Sequence, residues 1–140
     1  MFVPKGPPMQ RIELNQLEGG QALCDWFGAA PTFHDATLSK LELRQGTDSI
    51  LVANIFKAGP DVDSNGYHVQ RNHAAVTFTL SDLIYVELRD FMEAGIMYRL
   101  DIERDAEGVT LSFDSSYGVC GRIKAKAVCL SFEPATETSA

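Results

Sequence analysis

The sequence predicts a mainly β, α+β fold: an antiparallel sandwich or open curled barrel of about seven strands, with one N-terminal helix. Three observations carry this. From Pro31 onward, apolar residues recur at every second position over most of the chain, the period of strands with one covered face. A single segment, from Asn15 to Gly28, has helical spacing instead, with Leu17, Ala22, Leu23, Trp26 and Phe27 as its apolar positions. The chain has 140 residues, 45% of them hydrophobic, which suits one domain able to bury a core without disulfides or a structural metal.

The elements follow in order. Residues 1–14 hold three of the six prolines and read as an extended arm, with a short edge strand possible over Arg11 to Leu14. Residues 15–133 form the single domain, and residues 134–140 read as a frayed tail with nothing to pack. Asn15 is the candidate N-cap of the helix and Gly28 its stop before Pro31. Gly19 and Gly20 each cost such a helix about 1 kcal/mol relative to Ala, which predicts an irregular first turn.

Ser39, Leu41 and Leu43 alternate with Lys40, Glu42 and Arg44 in the first strand, and a break at Gln45 to Asp48 leads to Ile50 to Phe56. That second run is apolar on both faces, which predicts a central strand. Ala58 to Gly66 reads as a loop, and a long strand follows, ending in Ala75 to Leu80. A turn is expected at Ser81-Asp82. Next comes a strand with Ile84, Val86 and Leu88 inward and Tyr85, Glu87 and Arg89 outward, with Asp90 to Gly95 connecting. Ile96, Tyr98, Leu100 and Ile102 then alternate with Met97, Arg99, Asp101 and Glu103; a turn at Arg104 to Gly108 leads to Val109 to Phe113. In the last strand the apolar phase slips near Ala127, from Ile123 and Ala125 to Val128, Leu130 and Phe132, which predicts a bulge.

Twelve Lys and Arg against nineteen Asp and Glu give a net charge of −7. That is the wrong sign for gripping phosphate backbones or anionic lipid, so neither nucleic acid nor membrane is an expected partner. No apolar run approaches the roughly 20 residues that span a bilayer, and Met1 to Pro8 lacks the apolar region of a secretory signal, so the chain reads as cytoplasmic. Cys24, Cys120 and Cys129 are an odd count without Cys-x-x-Cys spacing, which predicts reduced, packed thiols and no disulfide framework.

Catalytic and metal motifs are few. Asp61-Val62-Asp63-Ser64-Asn65-Gly66 matches the first half of a calcium loop, but the twelfth position is Asn72 and not a bidentate Glu, so it reads as turn chemistry. His34, His68 and His73 do not converge with the cysteines at ligand spacing, and nothing near Cys24 in sequence activates its thiol. No Gly-x-Ser-x-Gly, phosphate loop or His-Glu-x-x-His occurs. Neither cofactor nor metal is expected, and the chain reads as a non-enzyme.

One segment has the character of a signature: Trp26-Phe27, then Pro31-Thr32-Phe33-His34-Asp35-Ala36, running into the strand from Leu38 to Arg44. A Trp shortly before a Phe-His-Asp-Ala tetrapeptide that opens the first strand of a small strand-rich domain resembles the bacterial immunity protein 50 family. The resemblance implies a small cytoplasmic protein that binds and neutralises a cognate toxin domain of a polymorphic toxin system, without catalysis. The motif lies between Trp26 and Arg44; the glycine-rich helix and the segment 58–66 do not map onto it. Read for their chemistry alone, Phe33 is an apolar anchor at a corner, and Asp35 and His34 are polar groups expected to be buried and hydrogen-bonded there. As neighbours in a strand they are expected to point to opposite faces, which argues against a catalytic dyad.

Residues 82–114 hold nine carboxylates against three arginines, almost the whole net charge. If their strands are neighbours, Glu87, Asp101 and Glu103 form one exposed acidic patch, a candidate surface for a basic toxin. Two alternatives stand beside it: a small-molecule-binding barrel or sandwich with Phe56, Phe78, Tyr98 and Phe113 lining a cavity, and an uncharacterised enzyme using His34 and Asp35 or Cys24.

Overall fold

Pairing along the strands builds a mainly antiparallel β-structure with one helix. The structure, a computed structural model, describes residues 9–62, 68–91 and 95–135, with backbone alone over 58–62 and 68–72. Seven strands are present among them: β1 (Gln10–Arg11), β2 (Thr37–Glu42), β3 (Ser49–Val62), β4 (His68–Arg89), β5 (Ile96–Arg104), β6 (Val109–Tyr117) and β7 (Cys120–Pro134). They form one sheet in the order β1-β5-β2-β3-β4-β7-β6, and β5 also pairs with β6. β5 therefore meets β6 along its length and β2 at Thr37↔Ile96, so the sheet curls round and closes on itself.

β3 lies between β2 and β4, as its apolar sequence predicts, with Leu51, Ala53 and Ile55 buried. Phe78, Phe113, Leu80, Leu111, Ile123 and Leu23 are fully buried at the centre of one continuous core. Phe78 and Phe113 are thus packing residues, whereas Tyr98 is exposed and Phe56 half-buried, so these four do not line a common interior cavity.

Several expectations are corrected. The helix, α1 (Gly20–Phe27), begins five residues after Asn15, and a 3-10 turn over Leu14–Gln16 precedes it. Its N-cap is Gly19 at φ 86°, where an added Cβ would lie 1.8 Å from the Leu130 carbonyl oxygen. Gly19 serves a close backbone approach to β7, since β6 leaves β7 at Ala125 and beyond it Leu130 N–H donates to the Glu18 carbonyl, whereas at Gly20 an added Cβ would lie 1.9 Å from the Leu14 carbonyl oxygen of the 3-10 turn. At its other end α1 stops at Gly28, at φ 91°, as predicted.

No turn interrupts β4 at Ser81-Asp82. β7 pairs with it from Ala74↔Pro134 to Arg89↔Cys120, and one partner shared along both halves keeps the strand continuous. Asp82 takes a left-handed φ of 56°, and a register shift between Leu83 and Tyr85 bends the strand there. The phase slip at Ala127 lies opposite Ser81, where pairing is regular, and the bulge expected in the last strand is instead on its partner, where Ile84 is the extra residue opposite Ala125 and Lys124. β3 runs on to Val62, past the expected start of a loop at Ala58, and Asp63 to Gly66 of the half calcium loop lie outside the described residues. The edge strand of the arm is at Gln10–Arg11, pairing with Arg104 and Glu103. β7 reaches Pro134; of the expected tail, 136–140 lie outside the described residues, as do 1–8 of the arm.

Two strands change face. In β2 a register shift between Leu38 and Lys40 turns Leu38 inward and leaves Leu41 half-buried; Leu43 lies beyond the strand and is exposed. In β5, shifts on both sides of Met97 bury Met97 and expose Ile96 and Tyr98, the reverse of the alternation, before Leu100 and Ile102 return to the inner face.

Candidate partner-binding surface

The Phe33 to Ala36 corner closes the barrel. Phe33 and Asp35 are both left-handed, at φ 61° and 66°, an arrangement that costs a non-glycine backbone energy. Backbone bonds hold it: Asp35 N–H donates to the Met97 carbonyl, Met97 N–H to that of Ala36, and Leu38 N–H to that of Gly95, each at 2.8 Å. The Phe33 ring is buried, 5.7 Å from that of Phe78, and Trp26 on α1 packs 5.4 Å from Phe132 of β7.

His34 and Asp35 do not have the buried positions expected of them. Their side chains are 55% and 59% exposed, and His34 Nδ1 lies 3.2 Å from Asp35 Oδ2. The left-handed turn at Asp35 sets side by side two side chains that a regular strand would send to opposite faces. The His34 ring meets the Tyr98 ring edge-on at 5.4 Å, and Tyr98 is 58% exposed. Ile96 and its cross-strand partner Tyr117 are exposed beside it.

The acidic residues stand on one face but not on neighbouring strands. Register places Glu87, Arg122, Ser112 and Asp101 in one row across β4, β7, β6 and β5; Tyr85, Lys124, Thr110 and Glu103 form the next. β7, outside the charge-rich window of sequence, thus sets Arg122 and Lys124 among the acids. Glu87 accepts from the Tyr85 hydroxyl and from Arg122 at 3.4 Å, and these two bonds hold its carboxyl below the usual range; the bond to Glu87 in turn raises the Tyr85 phenol. Asp101 binds Arg11 at 2.9 Å and Arg99 at 3.1 Å, and its side chain is 19% exposed. The expected acidic patch is therefore a lattice of alternating charge.

A second exposed apolar group lies at the end of β4, with Ile84, Tyr85 and Val86 on the strand and Phe91 just past it. Alternation in the sequence hides both groups, because Ile84, Val86, Ile96 and Tyr98 continue unbroken period-two runs; the register shifts that expose them are set by partner strands. Asp82 and Asp90, residue types that tolerate a left-handed backbone, are the local signal that β4 departs from regular pairing.

Among the described residues no three metal-ligating side chains form a cluster. Burial and then the Asp25 carboxylate push the Cys24 thiol up, the opposite of an activated nucleophile. A surface depression of about 360 Å³ between β3, β4 and the end of β7 is lined by Asn54, His73 and Glu133, with Ile55, Ala74 and Ala75. Smaller ones flank the Ala30 to Phe33 segment. No helix among the described residues is long and apolar enough to cross a membrane. No family model, curated protein or solved structure matches this chain.

Proposed function

We propose that this chain is a non-catalytic protein-binding domain, an immunity protein that occludes a cognate toxin domain in the bacterial cytoplasm. The observation that carries the reading is the exposed group formed by Tyr98, Ile96 and Tyr117 beside the motif side chains His34 and Asp35. Tyrosines with a large apolar body and a polar tip are favoured anchors of protein interfaces, and exposed apolar side chains gathered at one place mark such surfaces. The motif that resembles immunity proteins thus presents its polar pair at the same surface. The net charge of −7 adds long-range attraction to a basic partner, as a nuclease-type toxin domain would be.

The test is affinity capture from the native cell with the full chain and with its Tyr98→Ala variant, followed by assay of the captured protein. A toxin domain held by the wild type, silent in the complex and lost from the variant, supports the reading. Capture of no toxin domain, or of one that stays active when bound, overturns it.

A further inference from the structure

β4 outlasts one of its neighbours. β3 leaves it at Ser49↔Leu80, whereas β7 stays to Arg89↔Cys120, so among the described residues the segment from Ser81 to Arg89 is paired on one side only. The register shift ends at Tyr85, leaving Tyr85 to Arg89 in regular pairing with β7, and Asp90 at φ 56° ends the strand. An open edge presents N–H and carbonyl groups on alternate residues, and proteins blunt such edges with lysine, proline or bulges. The outer edge of β2 has two of these devices: Lys40, ion-paired to Glu42, and the shift between Leu38 and Lys40. Tyr85-Val86-Glu87-Leu88-Arg89 contains neither lysine nor proline.

Three rows of the sheet end at this edge. The core row Ile102, Leu111, Ile123 stops at Val86, which is exposed, and the row Leu100, Phe113, Gly121 stops at the half-buried Leu88. Between them, on the opposite face, the row Asp101, Ser112, Arg122 stops at the Glu87 carboxylate.

Resting on the protein-binding reading, we infer that this edge receives an extended segment of the partner as an added antiparallel strand. That strand is apolar opposite Val86 and Leu88 and carries Lys or Arg opposite Glu87. Apolar side chains there extend both core rows out of water, and a cation completes the charged one. Charge selects the occupant. Asp82, Glu87 and Asp90 outnumber Arg89 along the edge, and a second copy of this chain would bring the same excess and the same −7.

The probe is a capped pentapeptide, Thr-Val-Lys-Val-Thr, titrated to millimolar concentration into the full isotope-labelled chain and followed by backbone amide NMR. Two further versions are N-methylated, one at the valines and one at the other three residues, so that one of them lacks the sheet-facing amides. Shifts centred on Tyr85 to Arg89, lost with one methylated version and kept with the other, support the proposal. So does roughly tenfold weaker binding when the peptide lysine is replaced by Glu, restored in the Glu87→Lys chain. No shifts at this edge, or shifts indifferent to both methylations, overturn it. Mass doubling with concentration in the absence of peptide, abolished by Val86→Lys, assigns the edge to a second copy and also overturns it. Hydrogen exchange on a captured toxin complex separates the two proposals: unchanged protection at Tyr85 to Arg89 rejects the edge while the immunity reading stands. Peptide binding without any captured toxin rejects that reading and leaves the edge.

Discussion

Gly19 and Gly20 invert the usual expectation for glycine in a helix. Helix propensity alone predicts that Gly19→Ala stabilises by about 1 kcal/mol. The left-handed φ of 86° and the approach to the Leu130 carbonyl reverse the sign, and strain of the backbone alone costs about 1–3 kcal/mol. Urea unfolding of Gly19→Ala is expected to show a loss; a gain would mean that α1 starts earlier than Gly20. Corner residues divide in the same way. Phe33→Ala removes a buried ring packed on Phe78 and is expected to cost about 3–5 kcal/mol. His34→Ala and Asp35→Asn, the second keeping a residue type that tolerates the left-handed backbone, are expected to stay within about 0.5 kcal/mol of wild type because both side chains are exposed. Equal losses at all three positions in chemical denaturation would return His34 and Asp35 to a buried structural role.

At the scale of elements, the β5–β6 hairpin depends on Asp105. Its carboxylate accepts from Lys124 Nζ at 2.7 Å and from the backbone N–H groups of Glu107 at 2.8 Å and Gly108 at 3.1 Å. The Lys124 ammonium, helped by the two N–H groups, holds the Asp105 carboxyl below its ordinary range and is itself raised. With a lowered folded value, the unfolded chain binds the proton first as pH falls. The stability Asp105 contributes is therefore complete above the ordinary carboxylate range, from about pH 5 upward, and fades as pH drops through about 4 toward the lowered value. The Asp105→Asn variant is expected to be less stable at pH 7 and to lose less on acidification, as urea midpoints across pH 2–7 report. Parallel curves for the two proteins would place the acid sensitivity elsewhere.

Across the whole molecule, β4 and β7 run the length of the barrel and decide what faces what. Residues 82–114 look like an uncompensated patch in sequence because Arg11, Arg122 and Lys124, which pair with Asp101, Glu87, Asp105 and Glu107, come from β1 and β7 outside that window. Reversing Glu87, Asp101 and Glu103 to Lys thus removes partners as well as charge. The triple variant is expected to melt below wild type at low salt, with the gap narrowing at high salt as screening weakens the new repulsions. An unchanged melting temperature at low ionic strength would show that the lattice contributes nothing to the fold.

Period-two patterning, one helical-period segment and the length by themselves determined the mainly β class, the single helix ending at Gly28, the central place of β3 and the hairpin at Arg104 to Gly108. These are local features: side-chain alternation, a C-cap glycine and a turn all act within a few residues. Among the described residues strand number also came out at seven, though by exchange, since β1 is added while two expected strands merge into β4. Tertiary structure alone decided where the phase breaks. Register shifts at Leu38, Ile84 and Met97 are imposed by partners far away in sequence, and each turns later side chains to the other face. That is why Met97 is buried and Tyr98 exposed, and, with β3 leaving at Leu80, why β4 ends in an open edge: pairing across the sheet, not alternation along the chain, sets which atoms reach water.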